Sequence, residues 1–215
     1  MSGVMEQQAD LDRGIRLLTK ADPRLLPIVG LAGMPQLRRR EPGFAGLAAI
    51  VVGQQLSTAS AAAIWGRLAL ALQPLNPDTV IAASDETLGR LGFSRAKIRT
   101  VKAVAGEILA GRLELGAMAT MDANAAHAIL TGLHGIGPWT ADVYLLFCLG
   151  NADAWPAGDL AVQEGVRAGL GLTHRPGPKE MAVLAEPWRP FRGAAAHLWW
   201  AYYRYIRQRT GTQLG

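Results

Sequence analysis

The chain has 215 residues, half of them apolar and 18% charged, with a formal net charge of +5. That length accommodates one sizeable core or two small lobes, and the apolar content excludes a disordered chain. No run approaches the roughly 18 uninterrupted apolar residues of a membrane span: the richest stretch, residues 44–72, is cut by Gly53-Gln54-Gln55 and by Ser57-Thr58, so a soluble protein with no membrane partner is expected.

The amino-terminal run MSGVMEQQADLDRGIRLLTK has no basic start followed by an apolar segment, so no secretory signal is expected and a cytoplasmic location follows. Helical periodicity begins there, over about residues 6–19, and recurs over about 44–54, 57–72, 94–111, 122–131, 138–148, 159–170, 178–185 and 191–208. Asp78 could start one more short helix after QPLNPD, while GLTHRPGPKE and AEPWRPF separate the later helices. No stretch alternates as a strand and no fixed-period repeat is present, so the expected fold is all-α.

Basic residues gather as Arg38-Arg39-Arg40, as Arg95, Lys97 and Arg99, and as Arg204, Arg207 and Arg209. A polyanionic partner is compatible with this balance, although for Arg95, Lys97, Arg99 and Lys102 a solvated helix face is the favoured reading. The single cysteine, Cys148, excludes an internal disulfide and any iron–sulfur cluster held by several cysteines of this chain. It is expected in the core.

One motif interrupts the helical pattern sharply. In Leu133-His134-Gly135-Ile136-Gly137-Pro138-Trp139-Thr140-Ala141 two glycines permit a tight turn with positive φ, and Pro138 suits the first turn of the next helix. Two helices joined by a short hairpin result, with Ile136 pointing inward to pin the turn. The first N–H groups of the second helix have no intrahelical acceptor, and with no side chain at Gly135 and Gly137 a phosphate can approach them. Such a hairpin grips a nucleic-acid backbone without reading bases; the plainer reading is a turn and nothing more. About twenty residues beyond Trp139, the loop GNADAWPAGD delivers Asp159 to the start of another helix. Asp is a favoured N-cap, and that role alone would explain it.

The nonapeptide with its Gly/Pro-rich loop and distal aspartate resembles the helix-hairpin-helix superfamily of DNA glycosylases, with the 3-methyladenine (alkylbase) enzymes as the nearest type. The resemblance covers about residues 44–208. It implies a bilobed fold forming one unit over 1–215, with a middle lobe of about 46–148, a second lobe from about 1–45 plus 149–215, and a DNA-binding cleft between them. It implies that Asp159 is the catalytic carboxylate, that Gly135, Ile136, Gly137 and Thr140 bind DNA, and that the carbonyls of Thr131, Leu133 and Ile136 can hold Na+ or K+. No other cofactor is implied.

Two flanking segments extend the resemblance. In AAIVVGQQLSTASAAAIWGRL a Gly-Gln turn presents a wedge into the duplex, for which Gln55 and Leu56 are both candidates; the alternative is a polar helix joint capped by Ser57. In PWRPFRGAAAHLWWAYYRYIR the resemblance points to Trp199 as a pocket aromatic, with Trp139 as the opposite wall, whereas an aromatic stripe on a terminal helix is ordinarily core. The lyase-type relatives place a lysine where this chain has Trp139, and no lysine occurs between Lys102 and Lys179. The expectation is therefore a monomeric, monofunctional hydrolase acting on alkylated bases of damaged double-stranded DNA in base excision repair. A relative acting on oxidised or deaminated bases and a non-catalytic DNA-binding module are the alternatives. Departures from the family pattern are His134, where Pro is common, and a leading segment too short and too helical for the β-rich amino-terminal domain that some members carry.

Overall fold

The computed structural model describes residues 3–212. In chain order the helices are α1 (Gln8–Ala21), α2 (Leu26–Ala32), α3 (Phe44–Gly53), α4 (Thr58–Ala71), α5 (Pro77–Ala82), α6 (Asp85–Arg90), α7 (Arg95–Leu109), α8 (Ala123–Thr131), α9 (Pro138–Phe147), α10 (Leu160–Gly169), α11 (Pro178–Leu184) and α12 (Arg192–Thr212). Extended pairing among the described residues is limited to a bridge between Val4 and Asn151. The all-α expectation holds. Short polar residues start the helices: Ser57, Asn76, Ser84, Ser94 and Asp122 each accept a backbone N–H of the helix that follows, although the short helix expected from Asp78 starts at Pro77 behind Asn76 and the one behind Ser84 was not expected. Pro138 and Pro178 occupy first turns.

Two helices lack a periodic signal in sequence. The α2 helix spans seven residues with a proline in its first turn, and its buried side chain is Ile28; α6 spans six residues and buries Leu88. A single buried side chain makes no stripe.

The chain forms two compact units, a middle one from Arg40 to Leu149 and an end unit from the segments on either side. In the middle unit α3 packs against α4, α7 and α9, α5 and α6 pack on α7, and α8 packs on α9. Leu47, Ile50, Val51, Val101, Val104, Leu130, Tyr144 and Leu146 form its core, and Cys148 is buried as expected. The boundary falls at Arg40 rather than near 46. The Arg40 N–H donates to the Phe147 carbonyl at 2.9 Å and the Gly43 N–H to the Tyr144 hydroxyl at 3.1 Å, tying residues 40–45 to α9. Burial pushes the Tyr144 phenol up to about 12, so it stays protonated.

In the end unit α12 packs against α1, α2 and α10. Leu11, Ile15, Leu18, Ile28, Val162, Val166, Trp188, Leu198 and Trp199 fill its core. Close approach depends on absent side chains: a β-carbon at Gly165 would lie 2.8 Å from the Trp199 carbonyl oxygen, and one at Gly14 would lie 2.9 Å from the Ala194 Cβ. The two segments of this unit meet here, because the Met5 N–H donates to the Gly150 carbonyl at 2.7 Å and the Ala152 N–H to the Gly3 carbonyl at 2.9 Å.

Candidate functional site

In the middle unit the turn between α8 and α9 is tight: the Ile136 N–H donates to the Leu133 carbonyl at 3.1 Å. Ile136 is 3% exposed and anchors the turn from below, so only its backbone is available to a partner. Gly135 has φ of +78°, and a β-carbon there would collide with the Thr100 hydroxyl; glycine is required on both counts. Gly137 departs from the expectation of positive φ. It is extended at φ −87°, and a β-carbon on it would meet nothing within 4 Å. Its small size leaves the start of α9 open to approach.

Thr140 also departs from expectation. Its side chain is 2% exposed, and its hydroxyl accepts the Gln54 Nε2–H at 2.9 Å, so it braces the hairpin and presents no side chain to DNA. What the first turn of α9 can offer an anion is backbone N–H groups, since the Gly137 carbonyl takes its bond from Ala141, beyond that turn. Trp139 lies in this turn, half-buried.

The same Gln54 amide donates to the Gly135 carbonyl at 3.3 Å, joining the hairpin to the turn between α3 and α4. Lys97 locks that turn from its other side, its Nζ donating to the Val52 carbonyl at 2.7 Å and the Gln54 carbonyl at 2.9 Å. Burial lowers its pKa. Lys97 therefore closes the end of α3 and leaves the basic helix face to Arg95 and Arg99. Held between these braces, Gln55 adopts φ of +56° with an exposed side chain, and Leu56 beside it is 39% exposed. A non-glycine residue in the left-handed region costs on the order of 1–3 kcal/mol and persists only where its surroundings dictate it.

In the end unit the loop following Leu149 delivers Asp159. Asp153 sets this loop: its carboxylate takes two bonds from the Arg192 guanidinium at 2.9 Å each and one from Arg189 Nη1 at 2.7 Å. The pair with Arg192 is nearly enclosed, a geometry in which removing one partner strands a buried charge. The Trp155 indole donates to the Met181 carbonyl at 3.1 Å, and the Gln163 amide to the Ala157 carbonyl at 2.8 Å. At the end of the loop Asp159 caps α10, Oδ1 accepting the N–H groups of Ala161 and Val162 at 3.0 Å each. A third donor, the Trp200 indole Nε1–H, reaches the same oxygen at 3.0 Å from α12.

Trp200 is itself held. Its ring meets His197 edge-on at 6.1 Å between centroids. His197 Nδ1–H donates to the Gly193 carbonyl at 2.8 Å while Nε2 accepts the Arg38 N–H at 3.3 Å. Burial pushes the His197 imidazole down to about 4, so it is neutral near pH 7.

Trp199 corrects the sequence reading. It is 0% exposed, packed between Trp188 and Tyr202 and against Gly165 and Gly169, with no hydrogen-bond partner for its indole N–H among the described residues. A side chain so enclosed by its own unit is core and lines no pocket. Trp200, its neighbour, is the residue that meets the carboxylate. The sequence reading also missed Gln54, Lys97, Asp153, Arg189 and Arg192. The Trp-Arg-Pro-Phe-Arg run held a signal for the last two, since paired arginines beside a buried loop imply a carboxylate partner.

Helices joined by a glycine-rich hairpin, with a capping aspartate delivered by the loop downstream, define the helix-hairpin-helix class of DNA-binding folds. A family model described as HhH-GPD superfamily base excision DNA repair protein matches residues 48–190. The chain belongs to that superfamily. Over 192 residues it is 35% identical to the probable bifunctional transcriptional activator/DNA repair enzyme AlkA of Mycobacterium tuberculosis, covering 83% of this chain and 37% of that relative. The chain thus spans little more than a third of that protein. The crystal structure of a DNA-3-methyladenine glycosidase from Bacillus halodurans superposes with a TM-score of 0.79 at 28% identity, covering 91% of each chain. The 3-methyladenine DNA glycosylase Mag1 of Schizosaccharomyces pombe, in complex with abasic DNA, superposes with a TM-score of 0.78 at 27% identity, covering 87% of this chain and 95% of that one. Among the described residues no helix is long and apolar enough to cross a membrane.

Proposed function

We propose that the chain is a monofunctional DNA glycosylase that hydrolyses the N-glycosidic bond of alkylated bases, of the 3-methyladenine and 7-methylguanine type, in duplex DNA. The observation that carries this reading is the Asp159 carboxylate, oriented by three N–H donors on one oxygen. As the glycosidic bond breaks, positive charge develops at C1′ of the sugar, and a fixed anion stabilises it. Asp159 supplies that anion and can orient the attacking water. A purine alkylated at N3 or N7 already carries positive charge and leaves without much help from an acid.

The hairpin holds the strand through backbone N–H groups at the start of α9, with Gly137 admitting a phosphate. Three neutral carbonyls, those of Thr131, Leu133 and Ile136, suit a hard monovalent cation by donor chemistry, and Na+ or K+ there would add charge toward a phosphate. Gln55, with Leu56 beside it, fills the gap left by the extruded nucleotide; its strained, exposed backbone supports this role. Trp139 provides an electron-rich face for a cationic base, worth about 0.5–2 kcal/mol. With tryptophan at that position no amine is supplied for Schiff-base chemistry, and strand cleavage is not expected. The enzyme acts as a cytoplasmic monomer.

Asp159→Asn tests the reading. Release of 3-methyladenine and 7-methylguanine should fall by at least about 100-fold while affinity for abasic-site DNA is retained. A wild-type protein that binds but releases no base would be a DNA-binding module, and one that releases 8-oxoguanine or hypoxanthine instead would be a different glycosylase. Borohydride added during turnover should trap no covalent protein–DNA adduct, and a trapped species would overturn the monofunctional assignment.

A further inference from the structure

We propose that Trp200 is a positioning residue for the reaction, its indole N–H holding the Asp159 carboxylate in the one orientation that serves the sugar; the proposal rests on the reading of Asp159 as the catalytic carboxylate. An N-cap needs only backbone donors, and Asp159 already has two, from Ala161 and Val162 at 3.0 Å. The third bond adds nothing to capping. It comes from a different helix, is charge-assisted, and converges on the same Oδ1 at 3.0 Å. Three donors from two helices fix the plane of the carboxylate, which capping alone leaves free to rock.

The donor is as well fixed as its target. The Trp200 ring stands edge-on to His197 at an interplanar angle of 87°. His197 is pinned at both nitrogens, by the Gly193 carbonyl and the Arg38 N–H. Behind them, α10 and α12 approach closely because Gly165 has no side chain to set against the Trp199 backbone. The spacing between the helix that Asp159 caps and the helix that carries Trp200 is therefore set by packing. Electrostatic stabilisation of a sugar cation depends steeply on the position of the anion, and a displacement of about 1 Å can lower a rate by 100-fold. A residue that prevents such a displacement acts on the chemical step, whereas one that merely fills space acts on folding.

The decisive variant replaces Trp200 by 3-benzothienylalanine, which keeps the shape of the ring and exchanges its N–H for sulfur. Single-turnover release from a duplex carrying one 7-methylguanine, affinity for abasic-site DNA and melting temperature are measured alongside Asp159→Asn. A fall of about 10- to 100-fold in the single-turnover rate, with affinity and melting temperature unchanged, supports the positioning role. A rate within two-fold of wild type while Asp159→Asn is inactive overturns it and leaves the catalytic carboxylate standing. A rate loss matched by lost affinity or lost stability also overturns it. Full activity of Asp159→Asn removes both readings together.

Discussion

Trp199 and Trp200 stand one position apart and about 100° apart around α12, and their environments are opposite. Trp199 is sealed in the core with an indole N–H that finds no acceptor among the described residues, while Trp200 spends its N–H on Asp159. An aromatic stripe gives no register of its own, so the sequence alone did not show that Trp199 is core and that Trp200 is the one that reaches Asp159. Trp199→Ala should cost about 3–5 kcal/mol in chemical denaturation. Trp199→Phe should cost less, because it also removes an unpaired donor worth about 1–3 kcal/mol when buried. Under the proposed reaction, neither change should alter the relative rates at which 3-methyladenine and 7-methylguanine are released. The N-cap role of Asp159 was legible because Asp is a favoured cap and a periodic apolar run follows it. Asp153 was not, since its partners Arg189 and Arg192 lie over thirty residues away and nothing local marks the pairing.

The α8–α9 hairpin is the element whose form follows most directly from its letters. Glycine at a positive-φ turn, an apolar residue beneath it and proline in the next first turn are local requirements, and local requirements can be read from sequence. Gln54 and Thr140 are different: their bond spans the α3–α4 turn and the hairpin, so neither segment alone reveals it. Gly135→Ala should destabilise the middle unit by more than the usual 1 kcal/mol of a strained backbone, because the added methyl also meets Thr100. Urea unfolding checks the stability. Non-specific duplex binding should weaken with it, whereas Gly137→Ala, which meets nothing in the protein, should weaken duplex binding with little change in the unfolding midpoint. Element starts were readable at Ser57, Ser94, Asp122 and Asp159, each followed by a periodic run, whereas the short α5 begins at Pro77 rather than Asp78. The short α2 and α6 escaped because each buries too little to show a period.

At the scale of the molecule, acid sensitivity follows from buried histidine. The folded His197 titrates at about 4 against an ordinary value of 6.5, so between those limits the unfolded chain takes up a proton that the folded chain refuses. Stability from this group is therefore complete above about pH 6.5 and declines as pH falls toward 4, by on the order of 3 kcal/mol in total. His127, also lowered by burial, acts in the same direction. Below that window Asp22 takes over: the Arg24 side chain chiefly, with the Trp188 indole, holds its carboxyl below the ordinary range, so its contribution is lost only as pH drops through the acid region. Urea midpoints recorded from pH 7 to 4 should show the decline, and His197→Gln should flatten its slope whatever it does to absolute stability.

The pairing of residues 3–5 with 150–152 has a consequence for biosynthesis. As the ribosome extends the polypeptide, residues 3–5 emerge well before 150–152 and must wait for more than a hundred further residues before their hydrogen-bonding partner exists. All of residues 40–149 is available by then, so the inserted unit can settle while its host is still half made. Assembly around Asp159 then falls to residues translated after that unit.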